Sequence, residues 1–353
     1  MRILFVCKAS VNKKANPFIG ILMSQLSLLG HECDNGLDKF WNSYSQYDLL
    51  FFEWPEVLTK DFSDVSYNRI KTHISAIKKA GVKMIMTCHN LESHDKNPFY
   101  SRIYSLLYGE VDAIHHLGEY SYQLFNEKYP NKLNFVSPHP VFFDCKKIGP
   151  SKSDSKKALG LRNNDFVIMS FGAFRNNDER EIVWYLKKHF KNVVFLMPRF
   201  VEVNFKSKNI VKTACLLLKY LYVKVRGIKM RLLYIKNEEL PTFFNASDIV
   251  LIQRCSILNS GNLPLGFSAG KVVVGPNVGN VGSILKQTGN PVFNPEDKKT
   301  IITAVSTAIE ESYNDNNLGQ QNYIVACKDW TPETTVKIIN ENIHKLFANC
   351  TSI

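Results

Sequence analysis

Short apolar runs alternate with helical patterns along this chain, and the alternation starts twice. The first series places strand-like runs at Arg2–Cys7, Tyr47–Glu53, Val82–His89, Ala113–His116 and Lys132–Val136. Helical stretches fall between them near Phe18–Leu29, Tyr67–Lys79, Pro98–Leu107 and Tyr120–Glu127. Continuous apolar strands separated by helices call for a parallel sheet covered on both faces. A polar, Lys- and Ser-rich segment, Lys146–Lys157, reads as a linker. The series then resumes with strand Phe166–Phe171, helix Asp178–Phe190, strand Val193–Met197, a basic insertion and strand Ile249–Gln253. A turn, short helix and strand over Leu258–Pro276 follow, then helices near Lys299–Glu311 and Pro332–Phe347. The 353 residues suffice for two domains. Two doubly wound domains of similar size put a ligand cleft between the carboxyl ends of their sheets.

Hydrophobic content of 45% and charged content of 22% fit a globular chain rather than a disordered one. The net charge of +12 favours an anionic partner: nucleic acid, an anionic membrane surface or a phosphorylated ligand. The 8 cysteines show no CxxC and no paired spacing, so neither a zinc site nor a disulfide framework is indicated, and no metal is expected. The apolar start is too short for a signal peptide and no apolar run approaches a membrane span. A cytoplasmic chain with reduced thiols is the resulting expectation.

The densest motif runs from Leu258 to Pro276. Backbone N–H groups at Ser260, Gly261 and Asn262 would stand at a helix N-terminus, where the dipole favours an anion, with Ser and Asn side chains as caps or phosphate donors. An ordinary capped helix leading into a core strand fits the same residues. After the first strand of the second series, Gly172 permits close backbone approach and Arg175 suits bidentate phosphate contact. Arg254, after the Ile249–Gln253 strand, is a weaker partner for the same anion.

The first strand-to-helix turn, Lys8–Phe18, lacks GxGxxG, which counts against an NAD-dependent oxidoreductase. Cys88–Asp95 gathers His89, Asn90, Glu92, His94 and Asp95 beyond a strand's carboxyl end, more polar groups than packing needs. A metal pair at His89 and His94 is unspecific; general-base catalysis or hydrogen bonding to sugar hydroxyls suits the imidazoles better. Trp54 with Glu53 and Glu56 is an aromatic-carboxylate cluster of the kind that stacks on a sugar and binds its hydroxyls, or equally a half-buried Trp with solvated glutamates.

Lys206–Lys236 carries 9 basic residues and no acidic one. On a helical projection Lys208, Lys212, Lys219 and Arg226 form one stripe, opposite Ala214, Leu217, Leu218, Leu221, Tyr222 and Val225. Two readings stand. In the first, which is preferred, the apolar face packs on the core and the lysines face water. In the second, the helix lies on an anionic membrane surface. Nucleic acid is disfavoured because no binding motif accompanies the charge.

With these residues placed, the chain resembles the GT-B glycosyltransferases of bacterial surface-polysaccharide (capsule, exopolysaccharide or O-antigen) synthesis. The likeness rests on Asn16-Pro17-Phe18, Trp54-Pro55-Glu56, His89-Asn90 with His94, Gly172 to Arg175, and Asn259-Ser260-Gly261 through Gly270. Gly279-Asn280-Val281 sits where such enzymes carry a Gly-Gly turn. The resemblance implies two Rossmann-like domains, 1–150 for the acceptor and 151–330 for the nucleotide sugar, with 331–353 as a helix packing back on the first. It further implies a metal-independent hexosyltransferase that needs no cofactor and acts on a saccharide or lipid-linked saccharide, in the cytoplasm or peripheral on the inner face of the plasma membrane. Donor contacts would come from Gly172, Arg175, Arg254, Asn259, Ser260, Gly261 and Asn262. Acceptor contacts would come from Asn16, Trp54 and Glu56. His94 is the favoured base for an inverting reaction, with His89, Asp95 and Glu92 as alternates. Membrane contact would fall to Lys212, Lys219 and Arg226.

Two departures stand out. Retaining members carry two glutamates eight positions apart across the diphosphate motif, where this chain has Ile257 and Leu265. Where a lysine often follows the arginine, this chain has Asp178, Glu179 and Arg180. The rival from another class is a non-catalytic membrane-surface binding or scaffold protein with a degenerate transferase fold.

Overall fold

The computed structural model describes residues 1–8, 17–93, 97–142, 144–203, 209–233, 235–314 and 317–348. Asn16, His94, Asp95 and Lys208 lie outside the described residues. The chain divides into two compact units, Met1–Phe142 with Trp330–Ile353, and Phe143–Asp329.

The first unit runs β1 (Arg2–Val6), α1 (Phe18–Leu28), β2 (Glu32–Asn35), α2 (Leu37–Asn42), β3 (Leu49–Phe52), α3 (Asp64–Lys79), β4 (Lys83–Thr87), α4 (Pro98–Glu110), β5 (Ala113–His116), α5 (Glu119–Lys128) and β6 (Leu133–Val136). The sheet order is β2-β1-β3-β4-β5-β6, and every pairing is parallel. All residues of β3 are buried, as a central parallel strand with helices on both faces requires. Phe5 and Phe51, paired in register on β1 and β3, stack with centroids 5.2 Å apart. Edge strand β2, Glu-Cys-Asp-Asn, has one neighbour and stays polar, which is why apolar patterning does not reveal it.

The second unit contains α6 (Cys145–Ile148), α7 (Lys152–Ala158), β7 (Phe166–Met169), α8 (Asn177–His189), β8 (Val193–Leu196), α9 (Ile210–Val225), β9 (Ile228–Lys229), α10 (Leu240–Ala246), β10 (Ile249–Leu251), α11 (Asn262–Ser268), β11 (Val272–Pro276), α12 (Gly279–Gln287), β12 (Val292–Phe293), α13 (Lys298–Tyr313) and α14 (Leu318–Asp329). Its sheet order is β12-β11-β10-β7-β8-β9, again parallel throughout. The last helix, α15 (Pro332–Ala348), belongs to the first unit. Its buried Val336, Ile339, Ile343 and Leu346 repeat at helical spacing and join Phe18, Leu22 and Leu26 of α1 in one core.

The Lys146–Lys157 segment is not an open linker. Helices α6 and α7 fill most of it and pack against α10. Lys156 is buried, and its Nζ donates to the carbonyls of Asn163 at 3.1 Å and Asp165 at 2.6 Å, with Asp248 at 3.6 Å. A lysine held by carbonyls reads in composition like a solvated one.

Sheet order fixes where ligands bind, because open α/β sheets hold them beyond the carboxyl ends where strand order reverses. In the first sheet that point lies between β1 and β3; in the second it lies between β7 and β10.

Candidate active site

In the first unit, the residues leaving β3 are Glu53, Trp54 and Glu56, and β4 leads to His89 and Asn90. Glu53 is buried and accepts the His89 Nε2–H at Oε2, 2.5 Å away. Trp54 lies flat on the imidazole, centroids 4.3 Å apart and 13° from parallel, and the Phe18 ring meets it edge-on at 4.9 Å. The other Glu53 oxygen accepts from Thr87 Oγ1 at 3.1 Å. Thr87 Oγ1 also lies 3.1 Å from His115 Nδ1, and His115 Nε2 lies 2.7 Å from Ser137 Oγ. Burial holds the His115 pKa well below the ordinary histidine range, with the neighbouring His116 and His89 acting in the same direction. Burial, aided by Glu53, pushes the Cys7 thiol up to about 11, so it stays protonated.

This arrangement orients one imidazole. A carboxylate accepts only, so the nitrogen facing it, Nε2, carries a proton. The sequence offers Glu53 equally as a sugar-binding carboxylate or a solvated one; its burial beside His89 is a tertiary fact. Glu56 accepts from Tyr104 Oη at 3.0 Å through Oε1, while its buried Oε2 has no partner among the described residues. The same holds for Asn90 Nδ2. A carboxylate acceptor and an amide donor, both buried and unsatisfied, are groups that sugar hydroxyls satisfy. Glu92 is exposed and stands outside this network.

In the second unit, the residues expected on the donor side gather at the β7/β10 switch point. Ser170, just past β7, donates to Gln253 Oε1, just past β10, at 2.5 Å. Buried Gln253 Nε2 has no partner among the described residues, which leaves its amide N–H groups for ligand oxygens. Gly172 has φ +129°, and a Cβ built on it would stand 3.7 Å from both Arg254 Nη2 and Asn262 Nδ2. Three expected site residues therefore converge on one small space. Arg254 Nη1 donates to both oxygens of buried Glu179, at 2.9 and 2.8 Å. The Arg175 N–H donates to Glu179 Oε2 at 2.8 Å, and Asn176 caps α8 by accepting from the Glu179 N–H at 3.0 Å. The Arg175 pKa is pushed down, by lost hydration first and then by Arg254 beside it, against the opposing pull of Glu179. Arg180 does not join this cluster; it donates to the carbonyls of Asn176 at 2.7 Å and Phe174 at 2.8 Å, pinning the turn.

Side-chain hydrogen bonds, more than a helix dipole, organise the Asn259–Asn262 turn. Helix α11 has only 7 residues, so its dipole is small. Asn262 turns its Nδ2 to the Phe171 carbonyl, its N–H meets Ser260 Oγ at 3.3 Å, and Gly261 occupies the N-cap. Asn259 accepts from Asn280 at 2.8 Å, which ties the turn to α12. At Gly279 a Cβ would stand 2.5 Å from the Ile257 carbonyl oxygen, so only glycine admits this approach. Leu265 is buried in α11. Among the described residues no group of three or more His, Cys, Asp or Glu side chains is placed to hold a metal ion, and no helix is long and apolar enough to cross a membrane.

The architecture matches solved structures over nearly its full length. Sucrose-phosphate synthase from Thermosynechococcus elongatus superposes with a TM-score of 0.74 at 11% identity, covering 99% of each chain. The Anabaena HepE protein in complex with UDP-glucose gives 0.71 at 15% identity, covering 99% of this chain and 100% of that one. A glycosyltransferase from Rickettsia africae gives 0.68 at 14% identity, covering 99% of each. The fold is thus that of the GT-B glycosyltransferases, two Rossmann-like domains with 6 parallel strands each. No family model matches the sequence, and no curated protein matches it.

Proposed function

We propose that the chain is a glycosyltransferase that moves a hexose from a nucleoside diphosphate sugar to a saccharide or lipid-linked saccharide of bacterial surface-polysaccharide synthesis. The carrying observation is the convergence of Gly172, Arg254 and Asn262 where strand order reverses in the second sheet. HepE, with the same architecture, was solved with UDP-glucose, which supports a nucleotide-sugar donor here. Arg254 and Arg175 meet the diphosphate, and Glu179 fixes the Arg254 fork. Negative charge grows on the leaving diphosphate as the glycosidic C–O bond breaks, and oriented guanidinium groups stabilise that charge without a metal ion. Ser260 and Gln253 supply further donors.

The acceptor belongs at Trp54, Glu56 and Asn90, with His89 beside them. In an inverting transfer the His89 imidazole takes the proton of the attacking hydroxyl, and Glu53 stabilises the imidazolium that results. In a retaining transfer the same imidazole hydrogen-bonds the sugar, and the anomeric configuration of the product separates the two courses. The work is cytoplasmic in this reading, at the inner face of the membrane when the acceptor is lipid-linked. The test is release of nucleoside diphosphate from UDP-glucose and other nucleotide sugars, with and without saccharide acceptors. No turnover and no nucleotide binding would favour the non-catalytic scaffold reading, to which Ile257 and Leu265 lend support.

A further inference from the structure

Helix α9 carries two apolar faces where one suffices for packing. Tyr220 and Val223 are buried and Leu216 half-buried against the second unit, which anchors the helix. The face expected in the core points the other way. Ile210 is 81% exposed, Leu218 67% and Val225 86%, and Val211, Leu221 and Tyr222 are exposed with them. The sequence-based preference for a core-packed face is therefore corrected: the helix is held by its third side, between the basic stripe and the apolar one. At 100° per residue the exposed apolar positions span about 120° of the helix. Lys212, Lys219 and Arg226 border that sector on one side and Lys224 on the other, all exposed. Arg226 is held in place over Trp184, 5.0 Å from its ring centroid, and donates to Tyr222 Oη at 2.5 Å.

Beside the stripe lies a cavity of about 130 Å³ whose lining includes Lys219, Arg180, Arg199, Leu216 and one carboxylate, Glu202. Arg199 is paired with Glu202 at 2.6 Å, but the buried Nε of Arg180 has no partner among the described residues.

We propose that α9 docks the second unit on an anionic phospholipid bilayer. The helix lies in the plane of the interface, with Ile210, Leu218, Leu221 and Val225 among the acyl chains and Lys212, Lys219 and Lys224 snorkelling to headgroup phosphates. The cavity takes one such phosphate on Lys219 and Arg180. Charge complementarity selects this occupant, since no acidic residue interrupts 206–236. At 16 residues, about 24 Å long, the helix lies on a bilayer rather than crossing one. The docking deepens the transferase reading, on which its value for a lipid-linked acceptor rests, yet its evidence is separate.

The test is co-sedimentation of the full chain with vesicles of phosphatidylcholine alone and of phosphatidylcholine with phosphatidylglycerol. Binding to the anionic vesicles only, weakened by salt, is expected. Leu218→Asp with Val225→Asp, and separately Lys212→Glu with Lys219→Glu, should each cut that binding about tenfold or more, with the circular dichroism spectrum and nucleotide titration unchanged. Absent or equal binding to the two vesicle types, or variants that bind like the parent, would overturn the proposal. So would a dimer in ultracentrifugation that Leu218→Asp dissociates, because a second copy would then cover the face. Nucleotide titration reads the transferase proposal independently, so the two can fail separately.

Discussion

Glu53 and His89 form a buried carboxylate–imidazole pair, 2.5 Å between Oε2 and Nε2, under the flat ring of Trp54. The two residues leave adjacent parallel strands, so sheet register rather than sequence proximity brings them together. A carboxylate placed this way fixes the ring's tautomer and orientation.

His89→Ala should therefore lower kcat by about 10²–10⁴-fold while the donor dissociation constant stays within error. Glu53→Gln should lower kcat with KM for the donor little changed, because the amide can donate to Nε2 and select the other tautomer. Steady-state kinetics beside calorimetry reads both. Equal loss of donor binding in both variants would place the pair outside the chemistry.

The Arg254–Glu179 pair separates stability from binding. Glu179→Ala strands a mostly buried guanidinium and should cost about 3–5 kcal/mol in denaturant unfolding. Arg254→Met with Glu179→Leu should recover most of that stability, since apolar replacement of a buried pair is often neutral. The same double variant should lose nucleotide-sugar binding. Recovered stability with retained binding would remove Arg254 from the donor site.

Much of this was open to reading in the strands and little in the charges. Central strands such as β3 and β11 are apolar throughout because both faces are covered, and such runs stand out in sequence. Polar β2 and two-residue β9 and β12 carry no such signal. Helix α14 went unseen because its anchor is polar: buried Asn322 bonds to Asn290 at 2.8 Å and to the Lys271 carbonyl at 2.9 Å. At the candidate site, Gly172, Arg254 and Asn262 could be nominated from their places after strands. Glu53 and Glu179 could not be singled out, because burial against a particular partner is what distinguishes them from surface glutamates.

Gly172→Ala should be destabilising through its backbone. The added methyl meets its neighbours at 3.7 Å, an ordinary contact, but φ +129° is strained for any L side chain and should cost about 1–3 kcal/mol. The methyl also projects at Arg254 and Asn262, so weaker donor binding should accompany the lower stability. A variant as stable as the parent would contradict the backbone geometry.

Acid should destabilise the first unit before carboxylates protonate. His116 is buried, and burial lowers its pKa from 6.5 to about 4, opposed by the Asn134 hydrogen bond. Between these values the unfolded chain binds the extra proton, so stability falls as pH drops from about 6.5 towards 4 and levels off below. The separation corresponds to roughly 3 kcal/mol for this one group. His116→Asn, tested by urea unfolding at pH 7 and pH 5, should reduce the dependence by its own share, the remainder belonging to buried His115 and half-buried His139, whose pKa values burial also lowers. An unchanged slope would assign it to other groups.

The second unit is expected to bind a nucleoside diphosphate sugar at Arg254, Arg175 and Gly172. Isothermal calorimetry of UDP-glucose, and of other nucleotide sugars in turn, against the parent chain and Arg254→Met with Glu179→Leu tests it most directly. Saturable heat in the parent for at least one sugar nucleotide, abolished in the double variant, is the predicted result. No heat from any of them in a folded parent, or equal binding by both proteins, would contradict it.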